Sequence, residues 1–575
     1  MADGRRTGQL LLALAIAVGG GLGVSAGPTA ARAGARTWFV RAGAGGGAGS
    51  RGHPFATLVA VEHAARRGDR IVVLPSPSTI PPLNGGIVLK PAQKLIGAGP
   101  PVRTLGASAA APRITNTTTA HSGDAVRLAS GDVVSNLVVT GANRGGIYGH
   151  NVRNVTVAGD DLSATNTSCV TGFVVQPFVL PLLAPGAGVP FSSGLSNGWA
   201  AIMIDEAATT TRVSVRGNRV HDAGCADGID IRVSGTAQVT ARVSHNTLTH
   251  LRQDPSKQSE LAIGMQTLGH ARLDARIEGN RETYIGTATV GDFGDSDSEG
   301  VFGNSAGPSH LIENIDHNAF AHGLGHISAN CVETAASNGG PTMNISLTNS
   351  TCRYVVGDIL EAANLSRDAT LTFRLDHVLA EHSTFAGSQA WAQVEPGDDG
   401  DCMLVVDSGA ASTTSVNISN SRFTDCVADG LGVVSNVVDG SGPVRKLSFQ
   451  VKRSRIFANR VSNLRVANAT AVTELDGRIE HSDLSQSGGT NVFLENLDTS
   501  GATHAHLDLG GGSLSSPGHN CIFSGREADV ITVNYDLEAE HDWWGSPRGP
   551  GPGSTLAAGG VINSDPPLPR AACGP

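Results

Sequence analysis

Two apolar residues spaced two apart, then an Asn or Ser three residues on, then a further apolar residue: this pattern returns along the chain at intervals of roughly 28 to 38 residues. The series runs Val213, Val215, Asn218, Val220; Val243, Asn246, Leu248; Ile277, Asn280; Ile315, Asn318, Phe320; and Ile345, Leu347, Ser350, Cys352. It continues through Val378, Ser383, Phe385; Val416, Ile418, Ser421, Phe423; Phe449, Val451, Ser454, Ile456; and Ile479, Ser482, Leu484. Side chains alternate across a strand, so each apolar pair predicts a strand with one buried face, and the amide or hydroxyl marks the bend into the next strand. Each unit is therefore one coil of an all-β solenoid. A solenoid grows along one axis and escapes the usual ceiling on core size, which makes one elongated domain the reading for 575 residues. Gly at 74 residues, aromatics at 4% and charge at 16% fit a turn-rich protein packed by Val, Ile and Ala, with little helix.

The ends and one interruption stand apart from the repeat. Arg5 and Arg6, the apolar run Leu10 to Val24 and Ala31-Arg32-Ala33 read as a secretory signal over residues 1–33, with an uncleaved anchor as the alternative. Its removal takes Arg5, Arg6, Arg32 and Asp3, moving the formal charge from −10 to −12. The solenoid domain is expected over 34–575, opening with a cap at 34–70 in which Ala56 to Arg66 form a helix over the first coil. Residues 170–191 are apolar but carry Pro177, Pro181, Pro185 and Pro190, so they read as an insertion, either packed along the stack or acting as a flap over a groove. Residues 554–575 read as a tail.

The segment Pro54-Phe55-Ala56-Thr57-Leu58 through Gly68-Asp69-Arg70-Ile71-Val72-Val73, followed by Gly86-Ile87-Val88-Leu89 and Leu95-Ile96-Gly97-Ala98-Gly99, resembles the opening of secreted right-handed parallel β-helix proteins, the pectin-lyase-like superfamily. Asp542-Trp543-Trp544-Gly545-Ser546-Pro547-Arg548-Gly549-Pro550 is similar to the ending of many of them. The resemblance spans Thr37 to about Gly553 and implies a single right-handed parallel β-helix; for function it implies little, because that fold carries lyases, hydrolases and adhesins.

Candidate chemistry is scattered. Asp227 and Asp230, in Cys225-Ala226-Asp227-Gly228-Ile229-Asp230, resemble an element of polygalacturonase-like hydrolases; alternation puts Asp230 on the outer face, where two carboxylates could divide acid and base roles. The partner elements of that family are missing, and His322-Gly323-Leu324-Gly325-His326 matches only loosely. A lyase would need a base such as Lys257, Arg252 or Arg232. Asp295, Asp297 and Glu299 alternate oxygen ligands as a calcium loop does, although the EF-hand template fails at Ala306; Glu395, Asp398, Asp399 and Asp401 form a second acidic run. His504, His506 and Asp508 share one strand face and could hold a transition metal. Trp391 with Gln393 and Glu395 is equipment for stacking a sugar ring and bonding its hydroxyls, unless a one-residue shift turns Trp391 inward.

Eight cysteines and no Cys-x-x-Cys suit an oxidising compartment; Cys331 with Cys352 and Cys402 with Cys426 lie close enough in the repeat to be bridged, or else fill strand positions as thiols. The acidic balance argues against nucleic acid and anionic membrane as partners. The reading is a secreted or cell-surface protein that engages polysaccharide along its long face, with a hydrolase or lyase as the alternative.

Overall fold

From Thr37 to Asn563 the chain winds through the same three short strands again and again, and like strands of successive turns pair in parallel. The computed structural model describes residues 34–571 apart from 107–108, 182–186, 192–195, 252–258, 287–296, 324–328, 385–399 and 439–441. Among the described residues the strands close into three sheets: sheet I with seventeen strands, from Thr37–Val40 to Ile562–Asn563; sheet II with eleven, from Arg113–Ile114 to Arg455–Phe457; and sheet III with seventeen, most of them between Ile87–Val88 and Thr555–Ala558. This is a right-handed parallel β-helix, and Arg36–Pro575 form one compact unit.

The register explains the repeat. Val215, Val243, Ile277, Ile315, Leu347, Leu375, Ile418, Val451 and Ile479 stand directly above one another in sheet I, none more than 1% exposed. At the corner into sheet II a residue in the left-handed region (His245, His317, Asn349, Asn420) precedes the predicted amide or hydroxyl. Those side chains form a buried ladder. The backbone N–H of Asn218 donates to Oδ1 of Asn246 (2.9 Å), that of Asn246 to Asn280 (2.9 Å), that of Asn280 to Asn318 (2.8 Å) and that of Asn318 to Oγ of Ser350 (3.1 Å). A buried bend would otherwise strand these donors, each at about 1–3 kcal/mol. One unit departs from the sequence reading: the inward pair of that coil is Phe373 and Leu375, and Val378 itself takes the corner, donating to Oγ of Ser421 at 3.1 Å.

The helix cap is shorter than expected, Leu58–Ala64, with Thr57 as N-cap accepting from the N–H of Ala60 and with Leu58 and Val61 buried on the first coils. Lys90 Nζ donates to the carbonyls of Glu62 and Ala65, placing a cation where the helix leaves bare acceptors. At the other end, Thr555–Ala558 and Ile562–Asn563 pair with Val530–Val533 and Leu537–Glu538, so the first half of the expected tail is a final partial coil. Trp544 is buried in the main core.

Cys402 and Cys426 are bridged, as is a pair the spacing did not suggest, Cys169 with Cys225. Cys331 and Cys352 are free, buried thiols; Cys352 occupies the inward slot filled by Phe320 one coil earlier. The insertion continues to Gly198: Thr171–Val174 pairs antiparallel with Ser196–Gly198, and Phe178–Pro181 with Gly188–Phe191. It packs along the stack. Phe173 and Val175 are buried on the outer side of sheet III against Leu261, Phe302, Ala335 and Ala363, a second apolar core outside the solenoid lumen.

Candidate functional site

Each coil leaves sheet II through another left-handed residue, and on five consecutive coils that residue carries an aromatic or imidazole ring: His250, Tyr284, His322, Tyr354 and His382, with φ between 54° and 63°. The parallel register stacks them into a ladder with centroids 5.0, 5.1, 5.3 and 4.8 Å apart. The first three contacts of the ladder lie within 19° of parallel, and the last, between Tyr354 and His382, is tilted by 33°. Stacked rings cover one another's faces, so what reaches solvent is the rim: phenol oxygens alternating with imidazole nitrogens, one set per coil. Tyr284 and Tyr354 are 41% and 46% exposed, unusual for residues held this firmly. Asp222 and Asp425 hold the equivalent left-handed position on the coils beyond each end. A hydrogen bond from His221 is the main reason the Asp222 carboxyl lies below its usual range, with His250 adding to it. Sequence reasoning missed this ladder, although the rings recur with the period of the coils themselves.

Asp227 and Asp230 are brought together, but away from solvent. Both are 0% exposed. Asp230 does point out of the lumen, as alternation requires, yet the insertion lies over it: Phe173 and Asp230 both crowd Gly264 on the next strand. Burial pushes the Asp230 carboxyl up to about 8, against the opposing pull of Arg232 and hydrogen bonds from Gly264 and Asp227. The expected exposed patch is therefore replaced by a closed one. Arg232, a lyase candidate, donates instead to the carbonyl of Gly172 (2.7 Å), and Gln266 on the next coil donates to that of Val174 (2.8 Å), pinning the insertion. Its root is fastened by the Cys169–Cys225 bridge.

A carboxyl also sits inside the lumen. Glu282 follows Leu248 and precedes Phe320 in the inward row of sheet II, 1% exposed, with neither oxygen hydrogen-bonded. It faces a small cavity lined by Ser298, Gly300, Phe320, Asn330 and Cys331, and burial raises its pKa well above the usual value. Glu313 in sheet I is likewise unpartnered, nested against Gly303 and pushed up to about 8.

Trp391, Gln393 and Glu395 lie outside the described residues, as do Arg252, Lys257, Asp295, Asp398 and Asp399 and the side chain of Asp297. Glu299 is described and is buried in Asp297–Ala306. Of the three carboxylates of the expected calcium loop only this one can be placed, and among the described residues no group of three His, Cys, Asp or Glu is arranged to hold a metal. In the His504, His506 and Asp508 stripe, His506 pairs with Asp476 at 3.1 Å, while Asp508 is buried and accepts from the N–H groups of Gly512 and Ser516. The stripe is thus divided between an ion pair and a loop anchor. No helix among the described residues is long and apolar enough to cross a membrane.

No protein-family profile matches the chain, and no curated protein matches it. Solved structures do resemble it at very low identity. A double mutant of the periplasmic alginate epimerase AlgG is 8% identical over 77% of each chain, with a TM-score of 0.32. The unmutated epimerase is 9% identical over 62% of this chain and 77% of its own, with a TM-score of 0.27. DFA-IIIase from Arthrobacter chlorophenolicus A6, in complex with GF2, is 10% identical over 62% of this chain and 85% of its own, also with a TM-score of 0.27.

Proposed function

We propose that this protein is exported and engages a linear polysaccharide lengthwise along its β-helix, with the ring ladder as the contact rail. The single observation that carries the reading is the regular rim of His250, Tyr284, His322, Tyr354 and His382, exposed at the first four and half-buried at the last. Coils repeat at about the 4.8 Å strand spacing, so hydrogen-bonding groups are offered in a straight line, suited to a polymer that presents hydroxyls repetitively. Ring stacking fixes the side chains before any ligand arrives, which lowers the ordering cost of binding. Lyase or hydrolase activity is the alternative, and it requires carboxylates or a base converging on bound sugar.

The experiment is retention and turnover on a panel of neutral and acidic glycans, with and without calcium. Unsaturated products identify a lyase, new reducing ends without unsaturation a hydrolase, and retention alone a binding protein. The calcium arm tests Asp295, Asp297 and Glu299 as ligands. Tyr284→Ala with Tyr354→Ala removes both phenols and breaks the stack; affinity for the retained glycan is expected to fall about tenfold or more. Unchanged affinity in the double variant would place the glycan elsewhere, and indifference to every glycan would end the reading.

A further inference from the structure

The protein carries a formal charge of −10, yet one stretch of its surface is strongly basic. On the outer face of sheet I, the three consecutive strands Thr210–Arg216, Gln238–Ser244 and Arg272–Glu278 present Arg212, Arg216, Arg242, Arg272 and Arg276, all exposed. The guanidinium of Arg103 comes up beside Gly217 at the edge of the same face. Against these six cations stand two outward carboxylates, Asp274 and Glu278. Glu278 is shared by Arg242 at 3.0 Å and Arg276 at 3.1 Å, and among the described residues Arg212, Arg216 and Arg272 have no carboxylate within ion-pair distance. Arg212, Arg272 and Asp274 line one shallow cavity together with Asn154, Gln238 and Thr240.

Five like charges on three strands, with Arg103 beside them, repel one another, and nothing in the packing requires them, since the lumen side of the same strands is filled by residues such as Val213, Val215, Val243 and Ile277. We propose that this face binds an anionic polysaccharide through its carboxylates. A guanidinium meets a carboxylate as a planar two-pronged donor, and the parallel register repeats such donors across the face. The amides and hydroxyls of Asn154, Gln238 and Thr240 between them suit sugar hydroxyls. This surface is separated from the ring ladder by the asparagine corner and the width of sheet II, so it stands or falls apart from the reading above.

The test is binding of the full chain to polygalacturonate, with dextran as neutral polymer and duplex DNA as the competing polyanion, at low and physiological salt. Polygalacturonate is expected to bind, dextran not to bind at this face, and Arg212→Ala with Arg272→Ala to weaken polygalacturonate about tenfold or more. Arg212→Lys with Arg272→Lys keeps the charge and removes the fork, and should recover only part of that loss. No binding of polygalacturonate, equal binding by the double alanine variant, or DNA bound as tightly as polygalacturonate would overturn the proposal.

Discussion

Glu282 and Glu313 place ionisable groups where the adjoining coils carry Leu248 and Phe320 or Ala275 and Ile345, and each is accommodated by a glycine on the facing strand: Gly300 beside Glu282 and Gly303 beside Glu313. With no counter-charge and no hydrogen bond, the neutral acid is the form the lumen tolerates. A carboxyl whose folded pKa lies above its unfolded value stabilises the fold fully below the unfolded value and loses that contribution as pH rises through the folded one. For Glu313 the window runs from its ordinary 4.5 to about 8. Asp160 and Asp230, both raised to about 8 by burial, act in the same direction. Asp316 acts oppositely, but only in strong acid, because its hydrogen bonds from Asn349, Thr348 and His317 hold it at about 2 despite burial. Thermal unfolding midpoints should therefore fall between pH 5.5 and pH 8.5. Glu313→Gln, which cannot ionise, should remove a share of that slope worth on the order of a few kcal/mol; parallel slopes for parent and variant would show that Glu313 is not buried as described. The sequence showed the missing apolar residue after Asn280, but periodicity alone does not tell whether a charge in that slot turns outward or is swallowed.

At the scale of elements, the coils were legible because their signal is local: an alternating pair and a corner amide are read within a few residues, and Val215 and Asn246 fell where the pattern put them. What lies over the coils was not. Asp230 pointed outward as alternation demands, yet its burial comes from Phe173, which is distant in sequence and reaches it only because the insertion doubles back along sheet III. The ring ladder escaped for a related reason, since one ring per coil matters only after register aligns them. The insertion makes its own small core and is held to the stack by Arg232, Gln266 and the Cys169–Cys225 bridge. It should loosen as a unit without the solenoid unfolding. Phe173→Ala deletes its fully buried anchor, a change that costs about 3–5 kcal/mol in a well-packed core. The expected outcome is faster proteolytic cleavage within 171–178 while the far-ultraviolet circular dichroism of the coils is kept; loss of the β signal together with the insertion would mean the two are one cooperative unit.

For the whole molecule, the decisive fact is that a stack of coils has two ends, and each would expose both lumen hydrocarbon and a row of unpaired backbone groups. The N-terminal end is closed by Leu58, Val61 and Ala65 of the cap, all 0% exposed, and by Trp38 and Phe55 packed at its edge. Thr37–Val40 pairs with Arg70–Val73, which in turn pairs with Lys94–Gly97, so the cap and the first strand together hide the edge that Arg70–Val73 would otherwise present. Removing residues 36–69 uncovers Ile71 and Ile87 and leaves Arg70–Val73 as a bare parallel edge. Such an edge is a template for another chain, and the exposed lumen supplies the hydrophobic drive. A chain lacking that segment should form larger species whose proportion rises with protein concentration, measured by light scattering on a sizing column against the full chain. Val61→Asp offers the subtler version, a charge pressed onto the lumen that should lower the unfolding midpoint while the first strand still covers the edge. If the truncated chain kept the size of the full one at every concentration, the helix would be an ornament on the first coil, and its role in closing the lumen would be refuted.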